Sequence, residues 1–438
     1  MKRREFLAGC LAGGGVASLF AQGRRLPNAV LIISDDQGWG DYGFMGHPAI
    51  RTPRLDRLAG QSMVFTRAYS TAPLCSPSLA SMITGLHPHQ NKLTCNDPPK
   101  VGDGPAWPPE RLALRRQVVD YFEKSPTLPR LLSQRGYVSF QSGKWWGGNY
   151  SRGGFTAGMT HGDPARGGRH GDDGLKIGRQ TMQPVFDFVD KAGTKPFFLW
   201  FAPMMPHAPH TPPERLLKYY QTKTDSIHVA RYWAMCEWWD EACGQLLDHL
   251  DAKGIADNTL VLYTTDNGWI QQPNAPGFAP RSKQSRYDGG LRTPLMVRWP
   301  GKVKPLRDEK TLVSNLDLAP AILRAAGLEA SKEMQGCNLL DAAVLKQREA
   351  VFGAVYTHDA VDIHQPVENL RYLWVVEGEW KLILPAKQAD EKVGAELYNV
   401  VRDPHEKNNL AGKHPERVAL MRKRIANWWP EGAGSESR

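Results

Sequence analysis

Four short apolar runs in this chain each end in polar or charged side chains, and that repetition constrains the fold more than any other feature. Asn28 to Ser34 (Asn-Ala-Val-Leu-Ile-Ile-Ser) leads into Asp35-Asp36, and Thr259 to Thr265 (Thr-Leu-Val-Leu-Tyr-Thr-Thr) leads into Asp266-Asn267-Gly268. Tyr137 to Gln141 leads to Lys144, and Pro196 to Ala202 leads to His207. Continuous rather than alternating apolarity is what a strand needs when helices cover both faces of its sheet. In an open parallel sheet, ligands bind just outside the carboxyl ends of the strands. If the four runs are neighbours, one crevice gathers three carboxylates, an amide, a lysine and a histidine. Carboxylate and amide oxygens suit a hard cation: Ca2+, or Mg2+ with its smaller, stricter shell.

The segment Cys75-Ser76-Pro77-Ser78-Leu79-Ala80-Ser81-Met82-Ile83-Thr84, closed by Gly85, reads as a short helix with a cysteine at its mouth. Pro77 suits the first turn, Ser76 or Ser78 can cap it, and Gly85 suits the exit. A nucleophile at a helix N-terminus faces free N–H groups, and therefore an anionic substrate.

The remaining pattern predicts a long helix over Asp225 to Lys253, a second over roughly Gly178 to Lys191 and a third from Leu318. Strand–helix alternation from Asn28 to about Arg324 implies an α/β fold, with a large, mostly parallel sheet sandwiched by helices. From Ala350 the pattern changes. Tyr372 to Val376 and Glu379 to Leu384 read as a hairpin, and His414 to Trp428 as a terminal helix, so a small C-terminal antiparallel sheet with a helix is expected. The expected domains are residues 24–345 and 346–438, after an N-terminal segment of 1–23. Gly147 to Gly174, a long glycine-rich loop carrying Arg166, Arg169 and His170, comes after Lys144 and is expected beside the crevice.

Several segments together resemble the sulfatase family of the alkaline-phosphatase-like superfamily, over most of the chain. They are Thr52 to Ala59, Phe65 to Ser70, Ala72 to Ser78, Gly143-Lys144-Trp145, Pro206-His207-Ala208-Pro209 and Thr265-Asp266-Asn267-Gly268. Ser282-Lys283 with Tyr287-Asp288-Gly289-Gly290, and Glu396 to Asn399 with Asp403 to Leu410, come next in the family's order. The resemblance implies hydrolysis of a sulfate ester of a sulfated carbohydrate, with Cys75 converted to formylglycine by a maturase. It implies Ca2+, ahead of Mg2+, held by Asp35, Asp36, Asp266, Asn267 and the modified Cys75. Asp266 is implied as the base, Lys144 and Lys283 as the groups that neutralise sulfate, and His207 or Lys283 as the acid for the leaving alcohol. Arg166 and Arg169 are candidates for a second anionic group of the substrate. Two positions depart from the pattern. Leu79 stands where the family has an arginine, and Trp146 stands where it has a histidine linked to sulfate release. Indole has a donor N–H but no basic lone pair. His87, His89, His161, His170 and His210 are the candidates to replace it in space. The alternatives are a phosphodiesterase or phosphonate-ester hydrolase of the same superfamily, and a binding protein for sulfated glycans that keeps the fold.

Composition bears on partners and location. With 438 residues there is enough chain for a large core and a satellite domain. A net charge of +10 favours anionic partners. No basic helix with interleaved aromatics argues for nucleic acid, and no apolar run is long enough for a transmembrane span. Met1-Lys2-Arg3-Arg4-Glu5-Phe6-Leu7, with an apolar stretch after it, resembles a twin-arginine export signal, so a periplasmic or extracellular location is expected. Lipidation at Cys10 is the secondary reading. Cys95, Cys236, Cys243 and Cys337 lack metal or redox spacing and are expected to be buried thiols.

Overall fold

The computed structural model describes residues 25–103, 106–163, 168–389 and 393–434. The export signal, Cys10 and Arg166 lie outside the described residues. The main sheet contains β1 (Asn28–Ser34), β2 (Met63–Tyr69), β3 (Val138–Gly143), β4 (Ala157–Gly158), β5 (Phe197–Ala202), β6 (Thr259–Thr265), β7 (Arg292–Arg298), β8 (Leu306–Asp308) and β9 (Val313–Ser314). Their spatial order is β4-β3-β5-β1-β6-β7-β2-β8, with β9 also beside β2. Pairings from β4 through β6 are all parallel, whereas β7 runs antiparallel to β6 and β2. Every residue of β1, β5 and β6 is buried, which is why their sequences are apolar without alternation.

The four predicted runs are therefore adjacent, in the order β3-β5-β1-β6. Ser34 stands opposite Thr265, and Gly143 opposite Ala202. Their carboxyl ends share one edge of the sheet, and the loops leaving these ends enter the same space. Gly143 sets the exit of β3. Its φ is +79°, and a Cβ there would lie 2.0 Å from the Ala202 carbonyl oxygen, so no other residue fits without moving β5.

Apolar clusters lie on both faces of this sheet. One joins Leu31, Trp200 and Leu262 to the Cys75–Thr84 helix, and the other joins Val30, Leu199 and Tyr263 to the Ile227–Ala252 helix. The long helix starts at a Ser226 side-chain cap on the Val229 N–H. The second predicted helix is shorter than expected, Gln183–Ala192, because Ile177 and Thr181 form a bridge and Gly178 takes φ +78°. A second sheet, β10 (Ala350–Tyr356), β11 (Leu370–Glu377), β12 (Trp380–Pro385) and β13 (Glu396–Asn399), is fully antiparallel, and the Pro415–Trp428 helix packs on it. The described cysteines are free; Cys95, Cys236 and Cys243 are buried as expected, but Cys337 is only half-buried. None of the described helices is long and apolar enough to cross a membrane.

Candidate functional site

Cys75 opens its helix as its first residue, after Leu74 in extended conformation. Neither predicted serine caps it. The Ser76 N–H donates to Asn96 Oδ1 at 2.9 Å, and the Ser76 hydroxyl has no partner. Ser78 Oγ instead donates to the backbone carbonyl of Asp266, which ties the helix to the end of β6. The cap thus comes from a loop twenty residues on, a tertiary contact that replaces the local one. Gly85 ends the helix at φ +68°, as expected.

Lys283 Nζ is 3.2 Å from Cys75 Sγ and 2.7 Å from Asp36. Lys144 Nζ is 2.7 Å from Asp35 Oδ1 and 3.8 Å from Asp266 Oδ2. His207 Nε2 is 3.3 Å from Asp36 Oδ2. Asp36 holds φ +59°, a left-handed conformation uncommon outside glycine, and its N–H donates to Asp266 Oδ1. The Asn267 N–H donates to the same oxygen, and Asn267 Nδ2 donates to Asp36 Oδ1. One strained turn after β1 is therefore clamped against the end of β6.

Burial raises the pKa of Asp266, and the adjacent Asp35 adds to that. Burial also acts upward on Asp35, but Lys144, His207 and Lys283 outweigh it and hold that carboxyl below its ordinary range. The Cys75 thiol is pushed up to about 12 by burial, against the pull of Lys144 and Lys283. As a free thiol it is a neutral group at pH 7.

Among the carboxylate and amide oxygens at these strand ends, Asp35 Oδ2, Asp266 Oδ2 and Asn267 Oδ1 are buried without a hydrogen-bond partner. Such atoms carry a desolvation cost unless something coordinates them. Oxygen donors of this type fit Ca2+ or Mg2+. Ligand atoms of Asp35, Asp36, Cys75 and His207 all lie within 4.8 Å of one another. This grouping takes in His207, which the family resemblance implies as an acid, and does not take in Asp266.

The site opens into a cavity of about 320 Å³, whose lining includes Asp36, Cys75, Lys144, His207, Lys283 and Trp269. Asn96, Trp146, Arg169, His170 and His358 line it as well. Arg169 is at the cavity, but its guanidinium is engaged by Asp97 in a bidentate pair, so it is not a free anion receptor. Trp146 is buried, and His170 stacks on it with ring centroids 5.3 Å apart. The buried Arg115 guanidinium donates to the carbonyls of both Trp146 and Arg169, and so holds these two segments together. Of the five candidate histidines, His170 is the one that reaches this cavity. His87 and His89 stack instead near Trp428 and Trp429, His210 packs near Trp269, and His161 faces Asp173. Leu79 belongs to the large apolar cluster and is 2% exposed. Asn96 and His358 do not stand out in the sequence. His358 reaches the cavity from just after β10 and meets Asn96 Nδ2 at 3.3 Å, and no local motif marks either residue.

The profile of the Sulfatase family matches residues 27–328, and that of "N-sulphoglucosamine sulphohydrolase, C-terminal" matches residues 281–427. The chain belongs to the sulfatase family. It is 31% identical over 358 residues to an N-acetylgalactosamine-6-sulfatase of Canis lupus familiaris, spanning 72% of this chain and 66% of that protein. This chain thus covers just under two thirds of the length of such mammalian relatives. An N-acetylgalactosamine-6-O-sulfatase of Bacteroides thetaiotaomicron is 25% identical, over 91% of this chain and 92% of its own. The crystal structure of a putative sulfatase from Bacteroides fragilis superposes with a TM-score of 0.73 at 18% identity, over 96% of this chain and 99% of that one. This likeness supports the large mixed sheet with its separate antiparallel partner.

Proposed function

We propose that this chain hydrolyses a sulfate ester on a sugar, with formylglycine made from Cys75 as the nucleophile and Ca2+, ahead of Mg2+, as the cofactor. The observation that carries this reading is that buried oxygens of Asp35, Asp266 and Asn267 without hydrogen bonds stand at one site with Lys144 and Lys283. Three carboxylates there face two ammonium groups, and a divalent cation tips the balance positive, which suits an anionic ester. A soft thiolate is a poor neighbour for a hard cation, which supports modification of Cys75. When present, the cation polarises the ester oxygens and the hydrated aldehyde supplies the attacking hydroxyl.

The chain's own groups do the rest. Asp35, Asp36, Asp266 and Asn267 would hold the cation, and Asp266 would take the proton of the attacking hydroxyl. Lys144 and Lys283 neutralise sulfate charge. His207 Nδ1 lies 2.6 Å from the Ala208 carbonyl oxygen, which can only accept, so Nδ1 carries a hydrogen and the mobile proton belongs to Nε2. Nε2 faces the carboxylates and, once protonated, gives that proton to the leaving oxygen; burial lowers the His207 pKa, so Lys283, which keeps its proton, is the alternative donor. The 6-sulfates of N-acetylhexosamines, which the names of the relatives point to, are the first substrates to test. Residues 24–345 form the catalytic domain in this reading and 346–438 brace it. The segment 1–23 directs export after a formylglycine-generating maturase has acted.

His170, stacked on Trp146 at the cavity, is the imidazole placed to stand in for the histidine missing at position 146. Burial, with Lys144 and Arg169 nearby, pushes its pKa down to about 3, so the imidazole is neutral at pH 7 with a lone pair available. His170→Ala should slow steady-state turnover of an aryl sulfate tenfold or more while sparing the first turnover's burst of phenol. Equal loss of burst and steady rate would assign His170 elsewhere.

The reading as a whole is tested with 4-nitrophenyl sulfate against bis(4-nitrophenyl) phosphate, which share a leaving group. The sulfate ester should be cleaved faster. Faster cleavage of the diester would favour the phosphodiesterase reading. Binding of sulfated sugar without turnover, despite full conversion of Cys75, would favour a binding protein.

A further inference from the structure

The whole guanidinium of Arg179 is committed to the segment that carries His207. Nε and Nη2 donate to the Met204 carbonyl at 3.0 and 2.7 Å, and Nη2 also donates to the His207 carbonyl at 2.5 Å. Nη1 donates to the Pro209 carbonyl at 3.0 Å and to Thr211 Oγ1 at 3.3 Å. These contacts use all five N–H groups of the side chain. The segment 203–211 belongs to no helix or strand, and Pro203, Pro206 and Pro209 offer no N–H. Its carbonyls therefore depend on donors from elsewhere. Gly178 brings the donor close. Its φ is +78°, and a Cβ there would lie 2.8 Å from Met205 Sδ and 3.3 Å from Pro203 Cβ.

The His207 ring is held by the Ala208 carbonyl, which accepts from Nδ1 at 2.6 Å. Arg179 pins the carbonyls on either side of that one, those of His207 and Pro209. We propose that Arg179 is a positioning residue for His207: it fixes this backbone so that Nε2, 3.3 Å from Asp36 Oδ2, points at the leaving oxygen. The inference rests on the reading of His207 as the acid of a sulfatase. A displacement of about 1 Å in a catalytic group can cost roughly a hundredfold in rate. Lysine in place of Arg179 keeps the charge but lacks the planar fork that bridges three carbonyls.

The need for an acid grows with the basicity of the leaving oxygen, so phenyl sulfate depends on His207 more than 4-nitrophenyl sulfate does. Arg179→Met should raise the ratio of kcat/KM for 4-nitrophenyl over phenyl sulfate about tenfold. His207→Gln should raise it at least as much, and adding Arg179→Met to His207→Gln should change it no further. Equal losses on both esters in Arg179→Met, or additive effects in the double variant, overturn the proposal. If His207→Gln leaves the ratio unchanged, Lys283 is the acid and the proposal falls. Should Arg179→Met not fold, Arg179→Lys replaces it; a raised ratio supports the proposal and a wild-type ratio overturns it. If wild type cleaves neither ester, the sulfatase reading fails, and the positioning is read by NMR of protein carrying isotope-labelled histidine. The His207 ring signals, identified by their loss in His207→Gln, should shift in Arg179→Met while those of His87 and His89, near Trp428 and Trp429, stay in place. Unmoved His207 signals, or equal movement of all three, overturn the proposal.

Discussion

Replacing Asp266 with alanine is expected to remove bound calcium and to lower kcat/KM on a sulfate ester by about a thousandfold or more, several kcal/mol of lost transition-state stabilisation. Asp266 does two jobs. Its Oδ1 takes the N–H groups of Asp36 and Asn267, and its buried Oδ2 accepts no hydrogen bond and lies 3.8 Å from Lys144 Nζ. Alanine deletes a charged ligand and frees two buried donors, which costs about 1–3 kcal/mol for each. It also relieves repulsion with Asp35, so the fold should survive. Calcium should raise the melting temperature of wild type but not of Asp266→Ala. Undiminished metal content in the variant after gel filtration would remove Asp266 from the ligand set.

The second large effect lies away from the catalytic groups. Lys381 on β12 is fully buried between Asp288, at 2.8 Å, and Glu406, at 2.9 Å. Glu406 also accepts from the Asp288 N–H. These contacts, with Glu396 holding Arg286 and Tyr287, fasten the small sheet to the loop that presents Lys283. Lys381→Met keeps the volume and leaves two carboxylates buried without their cation. Such truncations cost about 3–5 kcal/mol. The loss should depend on pH. Burial pushes the Glu406 carboxyl up to about 7 from 4.5, and Asp288 adds to this against Lys381. A carboxyl raised in the folded state stabilises most at low pH and loses that contribution as pH rises through its folded value. Urea unfolding should therefore show a larger deficit for Lys381→Met at pH 8 than at pH 5. A deficit below about 1 kcal/mol at both would show the triad to be dispensable.

The strands β1, β5 and β6 were legible because burial on both faces leaves an unbroken apolar signature, and β3 because Lys144 comes after it. Their adjacency was not in the sequence; it comes from pairing, and it turns four separate strand ends into one crevice. Asp35, Asp36, Lys144, His207, Asp266 and Asn267 stand out after those ends and Lys283 through the family resemblance of Ser282-Lys283, and the fold brings them together with Cys75. The features that escaped came from distant contacts. Asn96 displaces Ser76 and Ser78 as the cap of the Cys75 helix, and His358 arrives from the second sheet. Arg169 looked like an anion receptor, yet Asp97, seventy-two residues earlier, already neutralises it. The helix expected from Gly178 starts at Gln183 because a local bridge at Ile177 and Thr181 outcompetes its first turn.

The chemistry depends above all on the state of Cys75. The most direct measurement is the mass of the peptide containing Cys75, taken from a preparation that turns over a sulfate ester after expression in a host with the maturase. The account predicts the aldehyde form, lighter than the thiol, in a fraction that rises with specific activity from batch to batch, and no turnover by Cys75→Ala. A preparation that cleaves sulfate esters while its Cys75 is entirely unmodified thiol would contradict it.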